Sequence, residues 1–447
     1  MPVISKVVKR SGTVVDFTSE RITNAIYRAA VAVGGRDRAT AVELTKQVVD
    51  ILESNTPTGH TSTVEEIQDI VEKVLIENGH ATVAKAYILY RAESARQRDQ
   101  QDARQIRSAC RIPWAKVWHS LDWAVAHGVN TVEGMNERIA RGEFSALVQE
   151  SEAAYNIDIK HVVEMIAERR HELKVVIVSG PSSSGKTTTT TKVAERLTEM
   201  GMNLVTLNVD NYFFDLEMHP KDEFGDYDFE TPQALEIDLI DKHIRELIAG
   251  EKVEIPFYNF KSGKREPSRT TMQIGPDDVI LIDSLHGLYP AMTASVPDDQ
   301  KFKLYLEPLL QMKDKNGKYV RWTDLRLIRR MLRDSVHRAY DPRRTLTHWH
   351  YVRASEMRHI IPNNSLADYI VNTGLPYELP IYAARMLENF AEWVEDYRDD
   401  PLREDAYIRA KRVHELLAQV TPIEDDSPIP ADSILREFIG GSCYEPG

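Results

Sequence analysis

Lys174–Lys192, KVVIVSGPSSSGKTTTTTK, is the stretch on which the reading of this chain turns. Val175–Val178 is apolar, β-branched and too short for a helix with a face of its own, so it reads as a parallel strand covered on both sides. Gly180-Pro-Ser-Ser-Ser-Gly185-Lys186-Thr187 follows at once and meets G-x-x-x-x-G-K-[ST] at every fixed position. The glycines let the backbone turn tightly enough for successive N–H groups to face phosphate oxygens. The positive end of the helix that begins there adds to the field. A strand before and a helix after are the context this motif requires. The pattern predicts a nucleoside-triphosphate site cradled by Gly180, Ser182, Ser183, Ser184, Gly185, Lys186, Thr187 and Thr188. Lys186 would reach the β- and γ-phosphates, and the Thr187 hydroxyl would serve the Mg²⁺ that bridges them, so ATP and Mg²⁺ are the expected cofactors.

Further apolar runs suit strands of the same sheet: Asn203–Val209, Val279–Asp283, Phe302–Leu306 and Ala367–Asn372. Asp210 follows the first of these, at the strand end where open α/β sheets place active sites. Asp283 closes the second, where a carboxylate can hold Mg²⁺ directly or through water. Helices are predicted from Thr188 to Met200 and from Ala234 to Ala249, each stopped by a glycine. Phe224–Pro232 is acidic and aromatic, and Val253–Phe260 leads into a basic loop, Lys261–Arg265. Rings interleaved with hydroxyls and charges could hold a nucleoside, which makes Tyr212, Tyr227, Asp228, Tyr258 and Arg265 candidate substrate contacts. The densest basic stretch runs from Arg321 to Arg344, and its helical part, Asp324–Val336, carries Leu325, Ile328, Met331 and Leu332 on one face. Some of its arginines are a solvated face. Arg330, Arg338 and Arg343 are the candidates to close over the triphosphate and neutralise charge as the γ-phosphoryl group moves, with Arg343 on the nucleotide.

The chain has 447 residues, enough for two or three domains, and its 42% apolar and 28% charged residues suit a globular protein. A formal charge of −13 argues against general nucleic-acid binding. No run is long and apolar enough to span a bilayer, and the first residues carry no signal core, so no membrane association and a cytoplasmic location are expected. Cys110 and Cys443 read as inert thiols. Residues 1–95 form a unit by pattern. Val3–Arg10 and Thr13–Phe17 flank Ser11-Gly12 as a hairpin, and helical patterns follow through Ile22, Val48, Ile67 and Val83. Thr63 and Glu66 have the spacing of a reciprocal N-terminal cap. Residues 96–172 read as a helical spacer whose Trp114, Trp118 and Trp123 suit packing against a neighbouring domain. Residues 173–421 are the domain of the phosphate loop, and 422–447 a linker-like tail with a short helix. The oligomeric state is open, a homo-oligomer included.

Two resemblances join these observations. Val8-Lys9-Arg10-Ser11-Gly12 with Phe17, Arg21-Ile22, Ala25-Ile26 and Ala84–Arg91 resembles the ATP-cone, a small regulatory nucleotide-binding domain. That resemblance implies that Lys9, Arg10 and Arg21 contact the phosphates of a second ATP or dATP. Ser11 stands where the cone pattern usually has Asp, and Arg21 where it has Lys. Over roughly 173–395 the loop, Asp210-Asn211-Tyr212, Tyr227-Asp228-Phe229, Ile255–Phe260, Ile282-Asp283, Asp324 with Arg326–Arg330, and Arg333-Asp334 resemble the uridine kinase and phosphoribulokinase family. The resemblance implies an α/β phosphate-loop kinase with a mostly parallel sheet flanked by helices, preceded by the small helical cone and the spacer. It implies Asp210 as the base toward the substrate hydroxyl and Asp283 as the group serving Mg²⁺; the motif and the local charge add Lys186, Arg330 and Arg338 as catalytic cations. Asp283-Ser284 replaces the usual Glu-Gly, and the Lys261–Arg265 loop lacks the His that reads the pyrimidine. The expected activity is transfer of the ATP γ-phosphoryl group to a nucleoside hydroxyl, the 5′-hydroxyl, under regulation by the cone. The rivals are a kinase of another small sugar or sugar phosphate, and a nucleotide-gated regulator without catalysis.

Overall fold

The structure is a computed structural model that describes residues 6–8, 14–35, 37–55, 61–88, 112–219, 231–338 and 341–444. The chain divides into two compact units, Met1–Ala109 with Asp399–Glu404 and Cys110–Arg398 with Asp405–Gly447.

In the first unit β1 (Lys6–Val8) and β2 (Val14–Asp16) pair antiparallel, Val7 opposite Val15. The hairpin joins α1 (Ser19–Ala32), α2 (Arg38–Asn55) and α3 (Val64–Glu77) around Ile26, Val48, Leu52, Val71 and Leu75, each almost fully buried. The cap read at Thr63 is present. Glu66 N–H donates to Thr63 Oγ1 at 3.2 Å, and Thr63 N–H donates to Glu66 Oε2 at 2.7 Å. Two orphan amides of the helix start are thereby satisfied.

The second unit is built on a five-stranded parallel sheet. Its strands are β3 (Val175–Ser179), β4 (Leu204–Thr206), β7 (Val279–Asp283), β8 (Lys301–Glu307) and β9 (Tyr369–Asn372), in the order β4-β7-β3-β8-β9. β5 (Val253–Asn259) and β6 (Lys264–Met272) form a separate antiparallel hairpin. Strand side chains alternate between two cores, as the period-two rule demands. Val176, Val178, Leu281 and Leu304 enter one core with α6 (Phe144–Glu168), α7 (Lys186–Glu199) and α9 (Trp322–Arg338). Val175, Ile177, Ile280 and Ile282 enter the other with Ile240, Ile244 and Leu247 of α8 (Ile237–Ile248). The chain leaves the central β3 first toward β4 on one side and later toward β8 on the other. The carboxyl end of β3 is therefore the topological switch point, where such sheets bind ligands.

Three expectations meet a different outcome. The second strand stops at Thr206, because Asn208 turns the chain: its Oδ1 accepts from Asp210 N at 3.0 Å and opens a 3₁₀ turn over Val209–Tyr212. The helices read as a spacer, α4 (Trp114–Ala126), α5 (Val132–Ala140) and α6, share the sheet's own core through Val132, Met135, Tyr155, Val162 and Ile166. Of the tryptophans, Trp123 packs on that core, while Trp114 and Trp118 stay 59% and 65% exposed. The tail also joins the core: Ile434, Leu435 and Phe438 are fully buried, the last on α12 (Arg436–Ile439).

Candidate active site

The phosphate loop leaves β3 between two close backbone approaches. A Cβ on Gly180 would lie 2.5 Å from Leu306 O, and one on Gly185 2.8 Å from Ile434 Cγ2. Gly185 also has φ +88°, which opens the first turn of α7. Ser183 adopts φ 58°, costly for a residue with a side chain, so the surroundings must hold it. They do so from behind. Arg326 donates to Ser182 O at 3.1 Å and Arg329 to Ser183 O at 3.4 Å, and Arg330 Nη1 donates to Ser182 Oγ at 3.2 Å.

Arg326 and Arg329, two of the arginines in the densest basic stretch of the sequence, are completely buried. Each is balanced by a buried carboxylate. Arg329 meets Glu378 at 2.6 Å, and Arg326 meets Glu307 at 3.3 Å and grips Glu356 with two nitrogens. Glu356 in turn accepts from Ser182 N at 3.2 Å and from Arg353. Burial alone would raise the Glu356 carboxyl, but Arg326, helped by Arg353, outweighs it and holds the group below its ordinary range. Glu356→Gln takes the carboxylate from Arg353 and leaves the buried Arg326 with Glu307 alone, so it should cost roughly 3–5 kcal/mol. The sign of the pH effect follows: a depressed carboxyl stabilises above its unfolded value of 4.5 and loses that contribution as pH falls through the lower folded value. Thermal melts should therefore show a large gap between wild type and variant at pH 7 that narrows below about pH 4. An unchanged melt at pH 7 would deny this brace its role.

In front of the loop, Lys186 Nζ donates to Gly180 O at 3.0 Å and Pro181 O at 3.2 Å. Asp283, at the end of β7, accepts from Thr190 Oγ1 at 3.3 Å. Burial pushes its carboxyl up to about 6, with Glu437 and Asp210 adding repulsion and Lys186 pulling it back. Asp283 thus feels Lys186, Glu437 and Asp210 at the carboxyl edge of the sheet. Thr187 and Asp283 offer hard oxygen donors of the kind Mg²⁺ takes. Among the described residues no group of three or more His, Cys, Asp or Glu is placed to hold a metal ion.

The expected substrate contacts separate. Tyr212 is fully buried and its hydroxyl meets His243 Nδ1 at 3.0 Å, so it is core. Arg265 is spent on backbone, donating to Tyr212 O at 2.7 Å and Phe213 O at 3.1 Å and pairing with Glu236. It fastens the β5–β6 hairpin to the segment after Asp210. Tyr258 stays in an aromatic group with Phe213, centroids 5.5 Å apart, and Phe260, 4.9 Å. His219 lies nearly parallel to Tyr258 at 6.4 Å and was not singled out from sequence. Arg343, expected on the nucleotide, pairs instead with Glu392 and Asp396. Arg21 is exposed at the start of α1. Lys9, Arg10, Tyr227, Asp228, Cys110 and the Arg338 side chain lie outside the described residues. Glu356 and Glu437 were missed as well.

A parallel sheet of this order, with a glycine-bracketed lysine loop at its switch point and acids on the neighbouring strand ends, is that of a phosphate-loop phosphotransferase. Residues 5–96 match the profile of the ATP cone domain, and residues 175–377 that of the phosphoribulokinase / uridine kinase family. The chain joins an ATP cone to a kinase domain of that family, an ATP-dependent phosphotransferase. It is similar to uridine-cytidine kinase B of Dictyostelium discoideum, 27% identical over 45% of this chain and 74% of the relative. It is also similar to uridine kinase of Bacillus pumilus, 28% identical over 45% and 86%. Among solved structures, a possible uridine kinase from Bacillus stearothermophilus aligns at 16% identity and TM-score 0.27, over 33% of this chain and 79% of that one.

Proposed function

We propose that this kinase transfers the γ-phosphoryl group of ATP to the hydroxyl of a nucleoside, its 5′-hydroxyl, and that the cone binds ATP or dATP as a regulator. The observation that carries the reading is that Asp210 and Lys186 both act on Asp283, and that Asp210 lies on a turn that runs directly into the Phe213–Tyr258–Phe260 group. A carboxylate able to take a proton is thereby set between phosphate chemistry and rings that suit a base. Lys186 and Arg330 neutralise the moving phosphoryl group, while the loop amides orient the triphosphate. The buried hydroxyls Ser183 Oγ and Ser184 Oγ have no partner among the described residues, and a phosphate chain would satisfy such donors. Thr187 and Asp283 would hold Mg²⁺, which spreads the charge of the β- and γ-phosphates. The uridine and uridine-cytidine kinases among the relatives favour a pyrimidine nucleoside. A kinase of another small sugar is the second reading, favoured by the commitment of Arg265 to backbone, which leaves the Lys261–Arg265 loop without a base-reading contact from that arginine. An ADP-release screen over nucleosides, sugars and sugar phosphates tests it. Turnover with uridine or cytidine is expected; turnover with sugars alone would replace the nucleoside reading.

The cone adds a separate expectation. Removing residues 1–95, or replacing Lys9 and Arg21 together by Ala, should lower the number of nucleotides bound per chain by at least one in calorimetry. It should also flatten any non-hyperbolic response to ATP or dATP, since effector coupling of ~1–3 kcal/mol changes activity several-fold. One nucleotide per intact chain and unchanged kinetics on truncation would leave the cone without a regulatory role.

A further inference from the structure

The first turn of α7 already has an anion on it, and that anion belongs to the chain. Glu437 Oε2 accepts from Thr188 N at 3.2 Å and from Thr188 Oγ1 at 2.9 Å. Both are groups that the nucleotide reading assigns to the phosphate chain, since amides of a phosphate-loop helix start cradle the α- and β-phosphates. Thr188 has one amide proton and one hydroxyl proton, and both point at one carboxylate oxygen. A phosphate oxygen cannot take them while Glu437 keeps them, and two anions at one helix start repel. Glu437 also adds to the negative field felt by Asp283, so its charge reaches the expected metal position.

The segment that delivers Glu437 is fixed on either side of it. Asp432 pairs with the buried Lys192 at 2.7 Å, Ser433 Oγ meets Tyr377 OH at 2.8 Å, and Ile434 abuts Gly185. Arg436 donates to Asp426 O and Ile429 O, and Phe438 is fully buried with the Arg329 guanidinium 5.1 Å from its ring centre. Glu437 itself is only half-buried among these anchored neighbours. Its carboxylate can therefore leave Thr188 by a change of side-chain rotamer, with the backbone of the segment kept in place.

We propose that Glu437 is a built-in competitor for the nucleotide: its carboxylate holds the first-turn anion position of the phosphate loop and must be displaced by the phosphates of ATP or ADP. The C-terminal segment thereby sets the nucleotide affinity of the catalytic site, and anything that draws Glu437 away from Thr188 raises that affinity. The proposal rests on the phosphate-loop reading, and the test separates the two. Calorimetric titration of the full chain with ADP and with ATP, both with Mg²⁺, is compared for wild type, Glu437→Gln and Glu437→Ala. Gln preserves shape and removes charge, so folding is safeguarded. Both variants should bind both nucleotides about tenfold tighter or more, because the competitor gives up a charge-assisted hydrogen bond worth roughly that factor. The gain should be alike for ADP and ATP, since the contested group lies at the phosphates they share. Equal affinity in wild type and variants overturns the competitor while leaving the nucleotide site intact. Weaker binding in Glu437→Gln overturns it too and makes Glu437 a supporting group for nucleotide or metal. In all three proteins, binding of ADP and ATP only at a site lost with Lys9→Ala and Arg21→Ala removes the phosphate-loop reading, and the proposal with it.

Discussion

Lys186→Ala is expected to reduce phosphoryl transfer to background, a loss of about 10²–10³ or more in kcat, the usual scale for removing one preorganised charge from a site shielded from water. The geometry supports so large an effect. Lys186 is held by Gly180 O and Pro181 O, so its ammonium costs little to organise when charge develops beside it. It is also a cation among Asp210, Asp283 and Glu437, and it offsets part of the rise that burial imposes on Asp283. Removing it leaves acids facing one another and weakens the very group expected to serve Mg²⁺. Lys186→Arg keeps the charge but not the compact point donor, and should restore only a part of the activity. ADP release under saturating substrate, with a thermal melt to confirm folding, reads the effect. An alanine variant within about tenfold of wild type would mean that the loop lysine does not bear on the transferred group.

What could be read from sequence was whatever local chemistry decides. The loop and its flanking strand and helix were legible because motif, β-branched run and glycine positions agree along nineteen consecutive residues, Lys174–Lys192. The strand Val279–Asp283 was equally plain, since a strand covered on both faces tends to a continuous apolar run, and Phe302–Leu306 was legible although Lys303 interrupts it. The Thr63–Glu66 cap was legible for the same reason: both partners lie within one turn.

The rest depended on partners far away in sequence. Arg326 and Arg329 look like two charges among many until Glu307, Glu356 and Glu378 arrive from β8, from the segment after α10 (Pro342–Ser355) and from α11 (Glu378–Tyr397). Their spacing of three, beside the apolar Leu325 and Ile328, was the only local hint that they face inward. Tyr212 and Arg265 were read as substrate contacts because tyrosine and arginine suit ligands. Their actual partners, His243 and the Tyr212 and Phe213 carbonyls, consume them in holding the wall in place. Glu437 gave no signal at all. A lone acid in a short polar and apolar tail becomes meaningful only when Ile434 and Phe438 bury and carry it to Thr188.

Asp210→Asn is the second large effect, and it discriminates between two roles for that carboxylate. As the base toward the acceptor hydroxyl, Asp210 should matter to turnover and little to ATP binding, so kcat should fall by about 10² or more, within the ~10²–10⁴ typical of general-base help. Its position agrees with a group that faces the acceptor. It is exposed, it sits one turn beyond β4, and its backbone amide is anchored by Asn208, so Asn at 210 should leave the fold unchanged. The substitution also removes one of the charges that raise Asp283, which should ease ionisation of Asp283 and leave Mg·ATP binding equal or slightly stronger. A metal ligand would behave in the opposite way, with ATP affinity collapsing while kcat at saturation persists. Measuring the Kd of Mg·ATP by calorimetry beside kcat by ADP release therefore separates the two directly. Loss of turnover with intact binding places Asp210 at the acceptor. Loss of binding with intact turnover moves it to the metal and leaves the acceptor hydroxyl to be activated by its contact with the phosphates alone.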